Sequence, residues 1–485
     1  MRNSSKQWQI APILTPEAEE SLKDFPQPLR QILFNRGYAD QTDALSFLSA
    51  SPPSNSDPEN MLGMEAAISR LVPAISGGEL IAIYGDYDAD GVTATALLVQ
   101  LLSALEAHVE GYLPNRFDEG YGLNNEALDT LKEKVVKLVV TVVCGVRSIE
   151  EALHARDLGL DLIITDHHHP GEKLPPALSV INPKQEGDPY PEKNLAGVGI
   201  AYKLGLALLN KLRRIGDQNA IAFDETLLLD LVAIGTVADL APLTAENRSL
   251  VRRGLKAIRK PRRQGLQALI GVCGLLPRRI QATDIGFVLG PRLNAAGRLD
   301  SALASFDLLT TKSIKEAGYL AQQLDNQNRE RQKITRESQA IAEELALAED
   351  PDSMLLFAAD PEFNPGIVGL VASRLTEQYY RPAIVAHQGE THTRGSCRSI
   401  PEFHITQALD QCEQLMEHHG GHAAAAGFTV RNENLDELVR RLRAIASEQL
   451  SGLDLRPVLH ADLEIQLSSL VPEIIEQLDI LQPTG

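Results

Sequence analysis

Cysteine is scarce in this chain. Its four residues, Cys144, Cys273, Cys397 and Cys412, fall at no metal-ligand spacing and suggest no disulfide framework. A zinc module and a stapled secreted domain are therefore not expected, and a reducing compartment fits. An excess of positive charge is also missing. With 46 Lys and Arg against 65 Asp and Glu, the formal net charge is −19, which excludes a protein held to nucleic acid by a basic surface all round but leaves room for a local basic groove. No run of about 20 uninterrupted apolar residues occurs, so no membrane span is expected. The opening MRNSSKQWQIAP lacks the apolar core of a secretion signal. What remains is an ordinary 44% apolar composition over 485 residues. That length is too great for one core, and the chain reads as a cytoplasmic protein of two to four domains.

Three stretches carry one grammar, a short β-branched run that ends in a turn and enters a helix: IAIYGDYDADG at 81–91, VKLVVTVVCGVRSIE at 136–150 and DLIITDHHHP at 161–170. Strands are expected at 81–85, 136–143, 161–165 and 179–181, and helices at 93–108, 148–157, 197–210 and 226–235. Residues 1 to about 50 read as helices and turns. This alternation predicts an α/β fold with a mainly parallel sheet, in which ligands sit beyond the carboxyl ends of the strands. Residues 311–349 read as a long connecting helix, and a smaller α/β unit follows from about 351 to 447. The final stretch, from VLHADLEIQL to LQPTG, is too short for a core of its own.

The turns carry the chemistry. GDYDADG puts Asp86, Asp88 and Asp90 at alternate positions, which share one side in extended geometry. Three carboxylates so close repel one another unless a cation holds them. An acidic turn or helix cap is the plainer reading of the same residues. TDHHHP adds Asp166, His167, His168 and His169, and GTVADLAPL sets Asp239 in apolar surroundings, where an unpaired carboxylate is costly. Oxygen-rich sets with one or two imidazoles suit Mn²⁺ or Mg²⁺, and two-metal phosphodiester hydrolysis is the matching chemistry.

A polyanionic substrate needs basic residues away from those acids. VRRGLKAIRKPRR at 251–263 carries seven Lys and Arg residues and no acid, and Arg292 and Arg298 follow among Pro, Asn, Ala and Gly. Farther on, Arg394 and Arg398 flank GSC, and GGH at 420–422 resembles a backbone nest for a phosphate. A merely solvated face is an equal rival reading for 251–263.

Taken in order, ILFNRGYADQTDALSFL, GDYDADGVT, RFDEGYGL, DHHHP, VINPKQ, LAGVGIAYKLG, GTVADLAPLTAENRSLVRRGL, GPRLNAAGRLDSA, GIVGLVASRL and GGHAAAAGF resemble the DHH phosphoesterase superfamily. Within it, they resemble the RecJ family of bacterial exonucleases specific for single-stranded DNA. The resemblance implies a DHH catalytic domain over 1–310 with an N-terminal helical extension, a connecting helix over 311–349 and a DHHA1 substrate-binding domain over 350–450. Residues 451–485 would begin an oligonucleotide-binding barrel, left incomplete. It implies 5′→3′ release of mononucleotides in recombination and repair, with up to two Mn²⁺ or Mg²⁺ ions. Asp88, Asp90, His167 and Asp239 would be ligands, with Asp86, His168 and Asp166 as ligands or as supports behind them. Arg292, Asn294, Arg298, Arg394, Ser396, Arg398, Gly420, Gly421 and His422 would meet the substrate. Single-stranded DNA, a single-stranded-DNA-binding protein and a RecQ-like helicase are the partners so implied, for a monomer away from any membrane.

One position departs from that pattern. Thr141–Gly145 reads Thr-Val-Val-Cys-Gly, and Val143 stands where the family carries an aspartate that bridges the two metals. Valine offers no oxygen, and Cys144, next on the strand, faces the other way. Weaker metal binding and a slower rate are expected. Two rival functions stay open: a DHH phosphodiesterase of short oligonucleotides or dinucleotides, against which the basic residues speak, and a catalytically lapsed or inactivated DNA-binding scaffold, for which only Val143 speaks.

Overall fold

The computed structural model describes residues 6–115, 119 and 122–484. Most of the RFDEGYGL passage lies outside them. The chain divides into two compact units, one of residues 14–328 with 465–485 and the other of residues 1–13 with 329–464. The strands in chain order begin with β1 (Gln7–Ile10), at the start of a segment whose sequence reads as helical. A sheet follows from β2 (Ile81–Tyr84), β3 (Val109–Tyr112), β4 (Leu138–Val142), β5 (Asp161–Thr165) and β6 (Ser179–Ile181).

That sheet belongs to the first unit. Its order is β3-β2-β4-β5-β6 and every pairing is parallel. The inner strands β2 and β4 are buried along their whole length, as a sheet covered on both faces requires, and this is why they read as unbroken apolar runs. β3, with Glu110 and Gly111, is only half-buried at the sheet edge, so no strong β pattern marked it in the sequence. Four helices position the site: α1 (Ala89–Ala104), α2 (Gly197–Arg214), α3 (Leu229–Ala238) and α4 (Ala245–Ile258). α3 is buried along its length, because it packs between α1, α2 and α4. α5 (Gly290–Leu299) completes the set, and α6 (Ile314–Glu349) is the long helix expected from the sequence.

The second unit holds β7 (Leu356–Asp360), α7 (Val368–Tyr379), β8 (Ala383–Gln388), β9 (His392–Arg398), β10 (Met416–His422) and β11 (Ala425–Arg431). Its sheet order is β10-β11-β9-β8-β7, parallel only between β7 and β8. β12 (Val458–Ala461) pairs in parallel with β1. In the first unit, residues 465–484 are held to the body of the domain through Arg248, which is 1% exposed. Its guanidinium donates to the carbonyls of Phe47, Leu481, Gln482 and Pro483 and lies over the Phe47 ring. Among the described residues no helix is long and apolar enough to cross a membrane.

Candidate metal centre

The carboxyl ends of β2, β4 and β5 lie side by side, and the residues that follow them meet there. After β2 the chain turns through Asp86 and Tyr87 into α1. Asp88 is the N-cap of α1, its Oδ1 accepting from Gly91 N at 2.8 Å, so the helix-cap reading of this acid is correct as local structure. Gly91 allows the tight entry: a Cβ there would stand 2.5 Å from Asp86 O. Asp86 is buried, with Oδ1 accepting from Tyr87 N. Asp90 turns inward and is 1% exposed. Its two oxygens accept from Gly197 N and Val198 N, each at 2.8 Å, at the start of α2, where a helix N-terminus favours negative charge.

After β5, Asp166 organises the histidine triplet. Its Oδ1 accepts from His167 N, from His168 N and from His168 Nδ1 at 2.7 Å, while Oδ2 accepts from Val146 N. Burial pushes the Asp166 carboxyl up, but the His168 ring and these N–H groups outweigh it and the net shift is downward. For His168 burial lowers the pKa, and the bonded Asp166 reverses the sign, leaving it raised. The three carbonyls of the triplet are each held by a different side chain: Lys184 Nζ on His167 O, Asn182 Nδ2 on His168 O, and Arg147 Nε on His169 O. These positioning groups were not singled out from sequence, although VINPKQ contains two of them at the end of the neighbouring strand.

His167 stands between two acids. Its Nδ1 is 3.6 Å from Asp239 Oδ2 and its Nε2 is 3.9 Å from Asp90 Oδ2. One donor atom from each of these three residues falls within 4.8 Å of the others, and Asp166, His167 and His168 form a second such group. Asp239 reaches the cluster as the C-cap of α3. Burial and the neighbouring Asp90 and Asp88 push its carboxyl up to about 9. Asp90 is pushed up to about 7 by burial and Asp88. Burial, then His168, takes His167 down to about 4. His167 Nε2 is buried without a hydrogen-bond partner. Carboxyls forced to keep protons and an orphaned imidazole nitrogen are what a divalent cation would relieve, so the donor set fits Mn²⁺ or Mg²⁺.

Val143 lies against this cluster. It is 1% exposed and has φ +67°, a left-handed conformation that β-branched residues rarely adopt. A Cβ built on Gly197 would stand 2.4 Å from Val143 Cγ2 and 2.8 Å from Asp90 Oδ2, so the valine and the acid flank the same point. Cys144, two residues past the end of β4, packs into the core on the other face of the sheet, and burial raises its thiol pKa.

The remaining expected substrate residues sort differently. Asn294 on α5 uses Oδ1 to accept from Ala89 N at 2.7 Å, tethering the start of α1. Arg292 is bound to the fully buried Asp325 at 2.9 Å and to Val288 O; Arg298 is half-buried on the same helix. In the second unit, Arg394, Ser396 and Arg398 alternate along β9 and so share a face. Register places Ala425 between Arg398 and His422, and Gly427 between Ser396 and Gly420. The small residues leave the row open. GGH is thus part of an edge strand, not the backbone nest expected from its glycines; Gly420 pairs with Gly427 and Gly421 with Ala426.

A parallel sheet with acids and a DHH triplet at its carboxyl ends, followed by this second sheet, defines the class. The "DHH family, N-terminal domain" model matches residues 80–236 and the DHHA1 domain model matches residues 352–448. Single-stranded-DNA-specific exonuclease RecJ of Escherichia coli (strain K12) is 37% identical over 95% of this chain and 82% of its own length. RecJ of Bacillus subtilis (strain 168) is 41% identical over 94% of this chain, which spans 56% of that relative. The crystal structure of RecJ from Thermus thermophilus in complex with Mn²⁺ superposes with a TM-score of 0.85 at 31% identity, covering 100% of this chain and 68% of the other. A second structure, of exonuclease RecJ bound to manganese, gives 0.69 at 35% identity, covering 80% of this chain and 95% of that one. The chain belongs to the RecJ family.

Proposed function

We propose that this chain is a metal-dependent 5′→3′ exonuclease that hydrolyses single-stranded DNA to mononucleotides. The observation that carries the reading is the buried Asp90–His167–Asp239 cluster with an orphaned imidazole nitrogen. Asp90, His167 and Asp239 would hold a Mn²⁺ or Mg²⁺ ion, with Asp88 beside them. Bound there, the ion supplies a Lewis acid for the phosphoryl oxygens and for the attacking water.

The chain's own groups do the rest. Asp90 is locked by the first N–H groups of α2, so its oxygens do not rotate away. Asp166 fixes the ring of His168 through Nδ1 and favours its charged form, which leaves Nε2 as the proton-bearing atom for a phosphate or a departing oxygen. Arg394, Ser396, Arg398 and His422 present donors along one face of their sheet and would position a backbone without reading bases. A helicase of the RecQ type and a single-stranded-DNA-binding protein are the partners this reading calls for, since single strands must be exposed and kept apart. We place the monomeric enzyme in the cytoplasm, a setting consistent with four free cysteines.

On a 5′-phosphorylated single strand with Mn²⁺, purified protein should release mononucleotides. Binding without any release, even at high enzyme concentration, would sink the reading. A slow or lapsed centre is the second reading, and the strained Val143 beside Asp90 is what favours it.

A further inference from the structure

At the far ends of α1 and α3 from the metal ligands, two cavities of about 600 and 650 Å³ adjoin, with Leu227 and Arg262 lining both. The basic run at 251–263 lies here, and the structure divides its residues into two kinds. Arg259 donates to Ile280 O, and Arg263 pairs with Asp230 at 2.9 Å and also donates to the carbonyls of Leu227 and Leu309. Arg252 donates to Leu48 O. These three are fastened to the fold. Arg253, Lys256, Lys260, Arg262 and Lys312 are exposed and line the two cavities, Arg253 within hydrogen-bonding reach of Tyr202. Among the described residues no carboxylate lies within ion-pairing distance of Lys256, Lys260 or Lys312. Asp224 lies near enough to Arg262 to feel its charge, and Asp230 is already engaged by Arg263.

A solvated helix end accounts for one or two lysines. It does not account for two adjoining cavities with Leu227, Leu229 and Ala257 in their lining and five exposed cations around them, on a chain of formal charge −19. Five cations spread over two adjoining cavities exceed what one compact anion engages and match an extended polyanion, so the pair is treated as one trough. We propose that it is a second nucleic-acid contact, a track for the phosphodiester backbone of the strand well away from the end being cut. The proposal rests on the nuclease reading. Leu229 and Asp230 line it 9–10 residues before Asp239 on α3, and Val99 to Ala104 line it 11–16 residues after Asp88 on α1, so it lies about 14–24 Å from those ligands at 1.5 Å per residue, or roughly four to seven nucleotides at a stacked spacing near 3.4 Å. The track therefore serves long strands and is out of reach of short ones.

The test uses the full chain with divalent metal chelated, so that strands bind without being cut. Lys256→Glu with Lys260→Glu should weaken binding of a strand of about 30 nucleotides by roughly tenfold and leave one of about 3 nucleotides, which spans only about 10 Å, unchanged. Lys256→Gln with Lys260→Gln, a milder pair that keeps the fold, should flatten the dependence of log Kd on log salt for the long strand by about 1.4, at roughly 0.7 per phosphate contact. Unchanged affinity for the long strand overturns the proposal. So does an equal loss on long and short strands, which would report only overall charge, or a selective loss of polyglutamate binding, which would make the groove a site for an acidic protein. Hydrolysis of the short strand with Mn²⁺, measured in parallel, reports on the metal centre alone: if no variant cuts it, the nuclease reading fails while the binding data still judge the groove.

Discussion

Val143 combines two costs in one residue. A β-branched side chain held at φ +67° carries strain of about 1 kcal/mol or more, and it puts methyl groups where the neighbouring Asp90 would profit from a cation. Aspartate tolerates the left-handed region far better than valine. Val143→Asp should therefore raise the hydrolysis rate at least tenfold, a gain on the scale of one added metal oxygen of about 1.4 kcal/mol. It should also enlarge the rise in Tm that Mn²⁺ produces. Without metal the same change adds a further carboxylate beside two already pushed upward, so the metal-free variant should melt lower than the parent at pH 8. Equal rates and equal metal shifts in the two proteins would remove position 143 from the metal site. At this scale the sequence was informative wherever the chemistry sits in a motif. It was silent about Lys184, Asn182 and Arg147, because their partners are backbone carbonyls distant in sequence.

Between elements, the site depends on tethers that no local pattern announces. Asn294 joins α5 to the first residue of α1. Asn294→Leu removes an acceptor from a helix N-terminus and should cost about 1–2 kcal/mol, with weaker Mn²⁺ binding measured by titration; an unchanged metal Kd would leave Asn294 free to serve substrate instead. Arg248 ties residues 481–483 and Phe47 to one buried guanidinium, whose pKa burial lowers to about 10. Arg248→Ala strands several carbonyls and should destabilise the unit by roughly 3 kcal/mol. It should also release 465–484 to limited proteolysis, and protection equal to the parent's would contradict that tether. The surprise at this scale is GGH. Its glycines read from sequence as a phosphate nest, yet here they pair across an edge strand, where Gly420 and Gly427 continue the row from Ser396 without side chains and only the methyl of Ala425 stands between His422 and Arg398.

For the whole molecule, the buried acids link metal, proton and stability. Asp239 keeps its proton up to about 9 and Asp90 up to about 7 when folded, against about 4 when unfolded. The folded state thus binds more protons across that window, and these groups make metal-free stability fall as pH rises from about 4 toward 9. His167 acts oppositely at lower pH: its folded pKa of about 4 lies below the ordinary 6.5, so its contribution is lost as pH falls through 6.5 toward 4. A divalent ion needs all three groups unprotonated. The Tm increment from Mn²⁺ should therefore grow from pH 6 to pH 9, and chelation should erase it; an increment independent of pH would show that the acids are ionised without metal.

The sequence by itself determined the two α/β units, the parallel sheet and the candidate ligands Asp90, His167 and Asp239, because strand ends, turn glycines and adjacent acids are local signals. It also marked Val143, through a missing carboxylate in a known order of residues. Tertiary structure decided which basic residues are fastened and which are exposed, since an arginine's partner is settled by packing and not by its neighbours in the chain. It alone showed that Val143 is strained and presses on the same point as Asp90. That point is where Gly197, 54 residues from Val143, leaves room by having no side chain, at a helix start that only the folded sheet brings to β4.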